Sequence, residues 1–315
     1  MKTPRTDRRW DVLCLGDPCA DVLLAIDEWP ALGGKCVGRP LGTQAGGTAG
    51  NVACAIARLG GRAAAFGPVG DDPNGGLLRA SFEAFGVDGE HVVTVAGKDS
   101  SSVVVLLAPG GERTIVYTPM QAPVPDATVL GRAISQARAV YLMPYDLEEL
   151  IRVEALARQA GTLVAIDLER AVAPGALEMR RRIERADIVF FNEEGFVAAT
   201  GCPPNADTMA ALLEGRPRAV VVTRGAAGAM AVDHTGFAVH GSFPCQVVDT
   251  TGAGDSFNAA WLYAFLAGTL LAPSLRFACA AASFAVGAIG ARAGLPDRAQ
   301  VESLLHDATT RRVPT

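Results

Sequence analysis

The 315 residues carry 33 Asp and Glu against 28 Lys and Arg, a net charge of −5 with an isoelectric point near 5.5. That balance argues against a nucleic-acid or membrane-surface role, while leaving room for a local basic pocket. Half the residues are hydrophobic and 19% are charged, which argues against disorder; the length suffices for one large α/β core, with or without a small addition.

Taken in chain order, the first ten residues are polar and lack the apolar segment of a secretory signal. Short, near-continuous apolar runs at 11–15, 63–66, 139–143, 163–167, 188–191 and 219–223 read as parallel strands covered on both faces. Helical patterns at 48–59, 74–85, 148–160 and 193–199 fall between them, and the last third is mostly helical, at 256–268, 274–289 and 297–306. This alternation predicts an α/β fold with a doubly wound, mostly parallel sheet flanked by helices. Segments 21–40 and 100–118 break the rhythm. They carry turn signals without a partner helix, and the second reads as a hairpin around residues 108–113, with Glu112 and Arg113 expected in a solvated turn. They are expected to form a small β-sheet covering the open edge of a single domain spanning 1–315.

Residues 256–275 are uncharged, yet Asn258, Gly268, Thr269 and Pro273 favour a buried helix ending near Gly268 over a membrane span. The seven cysteines, at 14, 19, 36, 54, 202, 245 and 279, show no Cys-x-x-Cys spacing and read as buried free thiols in a reducing compartment. The four histidines have no metal-ligand spacing. A soluble, cytoplasmic protein is expected, with no nucleic-acid or membrane partner.

Three glycine-rich elements carry the chemistry. Residues 248–257 read Val-Asp-Thr-Thr-Gly-Ala-Gly-Asp-Ser-Phe, an extended segment turning into a helix. Such a turn leaves unpaired N–H groups that suit an anion, and its glycines permit close approach. Asp255 beside it either caps the helix dipole or takes a proton from a hydroxyl that attacks a bound phosphate. Gly46-Gly47, with Asn51 in the following helix, forms a second element. Thr223-Arg224-Gly225-Ala226-Ala227-Gly228 forms a third, either a nucleotide loop at a strand carboxyl end or a plain hairpin turn. A P-loop, a dinucleotide fingerprint and a hydrolase elbow are all lacking.

In order and spacing across about residues 11–296, these elements together with Asn192-Glu193 resemble the PfkB/ribokinase family of small-molecule kinases. The resemblance implies a ribokinase-like core with a β-sheet lid, a homodimer through that lid, and ATP and Mg²⁺ as cofactors. It implies Asp255 as catalytic base with Gly252, Ala253 and Gly254 as an anion hole, and Asp21, Gly46, Gly47 and Asn51 as substrate-holding residues. Asn192, Thr223, Gly225 and Gly228 would serve the nucleotide, and Asp249 and Thr251 a monovalent cation such as K⁺. The family's Asn-x-x-Glu motif reads Asn192-Glu193-Glu194-Gly195 here, so the expectation is either that Glu193 or Glu194 serves Mg²⁺ through bound water or that the magnesium network differs. Cys19 stands where ribokinases carry Asn, which argues against ribose, and Asp167-Leu168-Glu169-Arg170 departs from the fructokinase-like Asp-Pro-Asn-x-Arg. The lid segments and the stretch from Ala291 to Asp297 are similar to those of sulfofructose kinase and related ketose kinases. The implied reaction is ATP-dependent phosphorylation of a sugar-like hydroxyl; a nucleoside kinase or a catalytically impaired binding protein is the alternative.

Overall fold

The computed structural model describes residues 7–109 and 113–310. Its strands run β1 (Trp10–Leu15), β2 (Cys19–Ile26), β3 (Gly38–Gly46), β4 (Ala63–Gly70), β5 (Asp88–Val95), β6 (Ser102–Leu107) and β7 (Arg113–Thr118). They continue as β8 (Ala137–Leu142), β9 (Leu163–Leu168), β10 (Ile188–Asn192), β11 (Ala219–Thr223), β12 (Ala229–Asp233) and β13 (Gly236–His240). Nine of them form one sheet in the order β13-β12-β11-β10-β9-β8-β1-β4-β5, parallel from β11 to β5 and antiparallel at β12 and β13.

The apolar runs are continuous because both faces of this sheet are covered. In β1, Val12 and Cys14 enter one core, packed under helices Thr48–Arg58, Ala253–Leu266 and Leu271–Ala285. Leu13 and Leu15 enter the other, under helices Ala127–Ser135, Leu147–Ala160 and Ala176–Ile183. At about 25 cal/mol per Å² of apolar surface removed from water, these two layers are the main source of stability. The helix over residues 253–266 buries Ala259, Ala260, Trp261 and Leu262 completely, as its uncharged sequence leads one to expect. Among the described residues no helix is long and apolar enough to cross a membrane.

The second sheet has the order β3-β2-β6-β7, with β2 parallel to β6 and the other pairs antiparallel. It is the expected lid, though its strands occupy 19–26 and 38–46 rather than 21–40. β3 reaches further along the chain because its sequence, Gly-Arg-Pro-Leu-Gly-Thr-Gln-Ala-Gly, is largely exposed and has no alternating apolar signal. Edge strands β5 and β13, strand β12 beside the latter, and helices 127–135 and 176–183 were not foreseen from the pattern. Residues 246–248 form no strand, so the turn at Gly252 follows an irregular segment. Of the cysteines, 14, 19, 54 and 279 are buried, but Cys202 and Cys245 are exposed and Cys36 is half-exposed, which corrects the expectation of seven buried thiols. Glu112 lies outside the described residues.

Candidate active site

The sheet turns over between β1 and β8: from β1 the chain proceeds outward through β4 to β5, and from β8 it proceeds the other way to β11. A crevice outside the strand carboxyl ends is expected at such a switch point. At these ends lie Gly16 and Asp17 just after β1, Glu169 just after β9, and the expected nucleotide residues Asn192 and Thr223, paired across the ends of β10 and β11.

Helix Ala253–Leu266 starts at the same level. Its N-cap, Gly252, sits at φ 74° and supplies no side-chain cap. A Cβ on Gly252 would lie 2.7 Å from Ala291, so the tight turn needs glycine on two counts. Ala253 N reaches back to the Thr250 carbonyl at 3.3 Å, whereas the N–H groups of Gly254 and Asp255 donate to no protein group among the described residues. Gly252 N likewise has no partner among the described residues, so of the expected Gly252–Gly254 set only Ala253 is engaged, and Asp255 N adds a further free donor.

Asp255 does not cap its helix. Its Oδ2 accepts a 2.7 Å hydrogen bond from Asn51 Nδ2, 204 positions away. Asp255 is half-buried, and desolvation pushes its pKa up to about 7; the Asn51 bond and Arg292 oppose the rise, while Glu169 and Asp21 add to it. A group poised near neutrality suits proton transfer. Beneath it, buried Asp167 accepts from Tyr141 Oη (3.2 Å) and Asn258 Nδ2 (3.0 Å). Burial, with the neighbouring Glu169 and Asp255, raises the Asp167 pKa well above its ordinary value, while the bonds from Tyr141 and Asn258 oppose the rise.

Arg292, only 6% exposed, was not singled out as a site residue. It donates from Nε to Asn51 Oδ1 (2.9 Å), from Nη1 to Ser81 Oγ (2.8 Å) and from Nη2 to the Gly46 carbonyl (2.7 Å). Asp21 packs its carboxylate against Gly46, where a Cβ would meet it at 2.2 Å, and burial raises its pKa to about 6 against the pull of Arg292. Gly47 opens helix Thr48–Arg58, which carries Asn51. Asp17 completes this side: Tyr117 Oη, from the lid, donates to its Oδ2 at 3.2 Å, and burial raises its pKa too.

On the other side, Asn192 caps helix Glu193–Thr200 through a 2.7 Å bond from Gly195 N. Glu194 pairs with Arg170 at 3.1 Å, and Glu193 and Glu194 line an open hollow with Arg170, Pro174 and Val197, apart from Asp255. Gly225 opens a short 3₁₀ turn that Gly228 closes, joining β11 to antiparallel β12. The segment is a hairpin turn, and it also lies at a strand carboxyl end. Asp249 Oδ1 accepts from Thr251 N (2.9 Å) and Oγ1 (2.7 Å), and Oδ2 from Gly290 N (2.8 Å). Burial pushes the Asp249 carboxyl up, but these donors outweigh it and hold it below the usual range. Among the described residues no group of three or more His, Cys, Asp or Glu is arranged to hold a metal ion.

Arg113, expected in a solvated turn, is exposed, and from the start of β7 it also donates from Nη1 to Thr251 Oγ1 at 2.9 Å. Its charge also opposes the rise that burial gives the Glu169 pKa and helps to hold Asp249 down. The lid thus touches the glycine-rich turn through a cation.

The profile of the pfkB family carbohydrate kinases matches residues 12–298. The chain belongs to this family. It is 30% identical to a nucleoside kinase of Methanothermobacter thermautotrophicus over 91% of its length and 93% of that protein. It is 29% identical to the Bacillus subtilis ribokinase (94% and 99% covered) and 31% identical to a Salmonella typhimurium fructokinase (90% and 96% covered). An Arabidopsis thaliana ribokinase structure complexed with ribose and ATP superimposes with a TM-score of 0.82 at 26% identity, covering 94% of this chain and 98% of that one. The pfkB family kinases so matched act on different acceptors, so family membership leaves the acceptor of this one open.

Proposed function

We propose that this pfkB family kinase transfers the γ-phosphoryl group of ATP to a hydroxyl of a neutral, polyhydroxylated acceptor, with Asp255 as general base. The observation that carries the reading is a carboxylate with a pKa near 7 held by Asn51 beside the free N–H groups of Gly254 and Asp255. The acceptor hydroxyl gives its proton to Asp255 as its oxygen attacks the γ-phosphorus; the new P–O bond forms as the bond to the ADP oxygen breaks. Charge on the equatorial oxygens meets the N–H groups of Gly254 and Asp255 and the Arg113 guanidinium. Seating Arg113 on Thr251 couples closure of the lid to completion of the site and to exclusion of water.

Carboxylates that raise one another's pKa suit a hard divalent cation. Gly195 has no carboxylate to give, Glu194 is committed to Arg170, and Glu169 is the acid facing Asp255. Glu169 is therefore our choice for the water shell of Mg²⁺, ahead of Glu193 and Glu194. The ion, when bound with ATP, neutralises phosphate charge. Asn192, Thr223, Gly225 and Gly228, at the ends of β10 and β11, would flank the nucleotide. Asp249 and Thr251 clamp the loop to Gly290, a role they fill with or without K⁺.

Neutrality of the acceptor follows from Asp17 and Asp21. Arg292, the buried cation beside Asp21, is already committed to Asn51, Ser81 and Gly46. A phosphate or carboxylate on the acceptor would meet like charge there, at a cost of about 4 kcal/mol for a 4 Å pair at an effective dielectric of 20. An ADP-release assay over ketoses, aldoses, nucleosides, sugar acids and sugar phosphates tests the reading, with Asp255→Asn as the control. Turnover confined to an anionic acceptor would overturn the acceptor assignment, and full turnover by the variant would overturn the base. The relation to an archaeal nucleoside kinase favours a nucleoside as the second reading.

A further inference from the structure

Asn51 presents an amide whose two ends differ in chemistry, and its orientation decides what Asp255 meets. Arginine has donors only, so the Nε–H of Arg292 at 2.9 Å has to meet the amide oxygen. The amide NH₂ then has one direction left, and it lies 2.7 Å from Asp255 Oδ2. Arg292 is itself immobilised by Ser81 Oγ and the Gly46 carbonyl, with its guanidinium carbon 5.2 Å from the centroid of the Phe82 ring. Asp255 Oδ1 accepts no hydrogen bond from the described residues, so it is the oxygen left for a hydroxyl. With the amide reversed, two oxygens would oppose each other, an arrangement stable only with a proton between them. That proton would occupy the base.

We infer that Arg292 is a positioning residue: through Asn51 it holds Asp255 in the proton-accepting state and leaves Oδ1 directed to the acceptor. The inference rests on Asp255 being the base of the proposed reaction. The charged and titratable groups facing Asp255 are Arg292 from the C-terminal loop, Asp21 from β2 and Glu169 after β9, with Asp167 and Tyr141 below. Arg292 is the cation of this set, and it opposes the effect of the surrounding carboxylates on Asp255 and Asp21 alike.

The test follows the Asp255 carboxyl by ¹³C NMR in protein labelled at aspartate, without ATP or acceptor, the signal being assigned by its loss in Asp255→Asn. Arg292→Met is expected to raise the midpoint by about one pH unit or more. Arg292→Lys, which keeps the charge but loses the planar fork, is expected to raise it by less. Ser81→Ala frees one arm of the guanidinium at a partly exposed site and is expected to move the midpoint the same way, by the smallest amount. In turnover, Arg292→Lys should displace the acid limb of kcat upward while leaving KM for ATP within about twofold, a split that loss of general stability does not produce. Unmoved midpoints in both Arg292→Lys and Ser81→Ala would overturn the inference even if Arg292→Met failed to fold. Failure of the wild-type protein to phosphorylate any acceptor would instead defeat the kinase reading, with the titration still deciding the role of Arg292.

Discussion

Gly195 and Leu168 approach so closely that a Cβ at position 195 would lie 2.2 Å from the Leu168 carbonyl oxygen and 3.1 Å from Glu169 Cα. The position where the family motif carries glutamate is therefore closed here by the end of β9, and the glycine is a packing requirement. Gly195→Glu should not restore a metal-linked carboxylate. We expect it to force the backbone apart and cost about 1–3 kcal/mol, read as a lowered melting temperature. Glu169→Gln should leave stability intact and weaken Mn²⁺ binding with a non-hydrolysable ATP analogue by about tenfold, measured by electron paramagnetic resonance. Unchanged Mn²⁺ affinity would return the role to Glu193 or Glu194.

Asp255 links activity to pH, and its sign is opposite for catalysis and for stability. The folded pKa of about 7 stands above the ordinary 3.8, so the base is proton-free only above neutrality. The acid limb of kcat should therefore rise through about pH 7 and flatten above it. For stability, the folded state binds the proton more tightly than the unfolded chain. The charged form is thus a strain on the fold that is fully felt above pH 7 and relieved as pH falls towards 3.8. Asp255→Asn should melt higher than wild type at pH 8, by a few degrees, with the gap narrowing at pH 5 and closing towards pH 3.8. Its kcat should fall by roughly 10²–10⁴ with little change in KM. A stability gap that widened on acidification would contradict the burial of the charge.

The parallel core was legible because strands buried on both faces leave unbroken apolar runs, as in β8 to β11. β3 and β13 were not, since they are mostly exposed and their pairing depends on partners remote in sequence. The turn at Gly252 and the carboxylate at Asp255 were readable locally, from two glycines in three residues before an uncharged helix. Their meaning was not. The contact with Asn51 spans 204 positions and that between Arg292 and Asn51 spans 241, so no local pattern announces either. Arg113 is solvated as expected, but its bond to Thr251 spans 138 positions and was equally unreadable. Gly195, by contrast, stood out in the sequence as a departure from the motif, and only the backbone of β9 explains it.

Arg113 should matter to the rate more than to the fold. It is exposed, and its hydrogen bond to Thr251 Oγ1 contributes little stability, so Arg113→Ala should melt within a degree or two of wild type. Loss of one donor to a phosphoryl group in transit commonly lowers kcat by about 10²–10³. Arg113→Lys keeps the charge without the fork and should recover part of that loss. Steady-state kinetics would settle the matter: an unchanged kcat in Arg113→Ala would assign the residue to lid packing alone.

Asp21 offers the sharpest check on the acceptor. It sits at the start of β2 against Gly46, with its carboxylate close to the Arg292–Asn51–Asp255 chain and its pKa raised to about 6 by burial. At pH 7.5 it is mostly ionised, able to accept from acceptor hydroxyls and to repel an anion. Asp21→Asn removes the charge and keeps the shape. Loss of a hydrogen bond to a charged group costs about 1.5–3 kcal/mol, so KM for a neutral acceptor should rise roughly ten- to hundredfold while KM for ATP stays put. The same substitution should narrow the preference for a neutral sugar over its phosphorylated or carboxylate counterpart, because the repulsion disappears with the charge. The ratio of kcat/KM for the neutral and anionic acceptors, measured in both proteins, reads this directly. A ratio that Asp21→Asn leaves unaltered would mean that the acceptor binds with its polar groups turned away from β2.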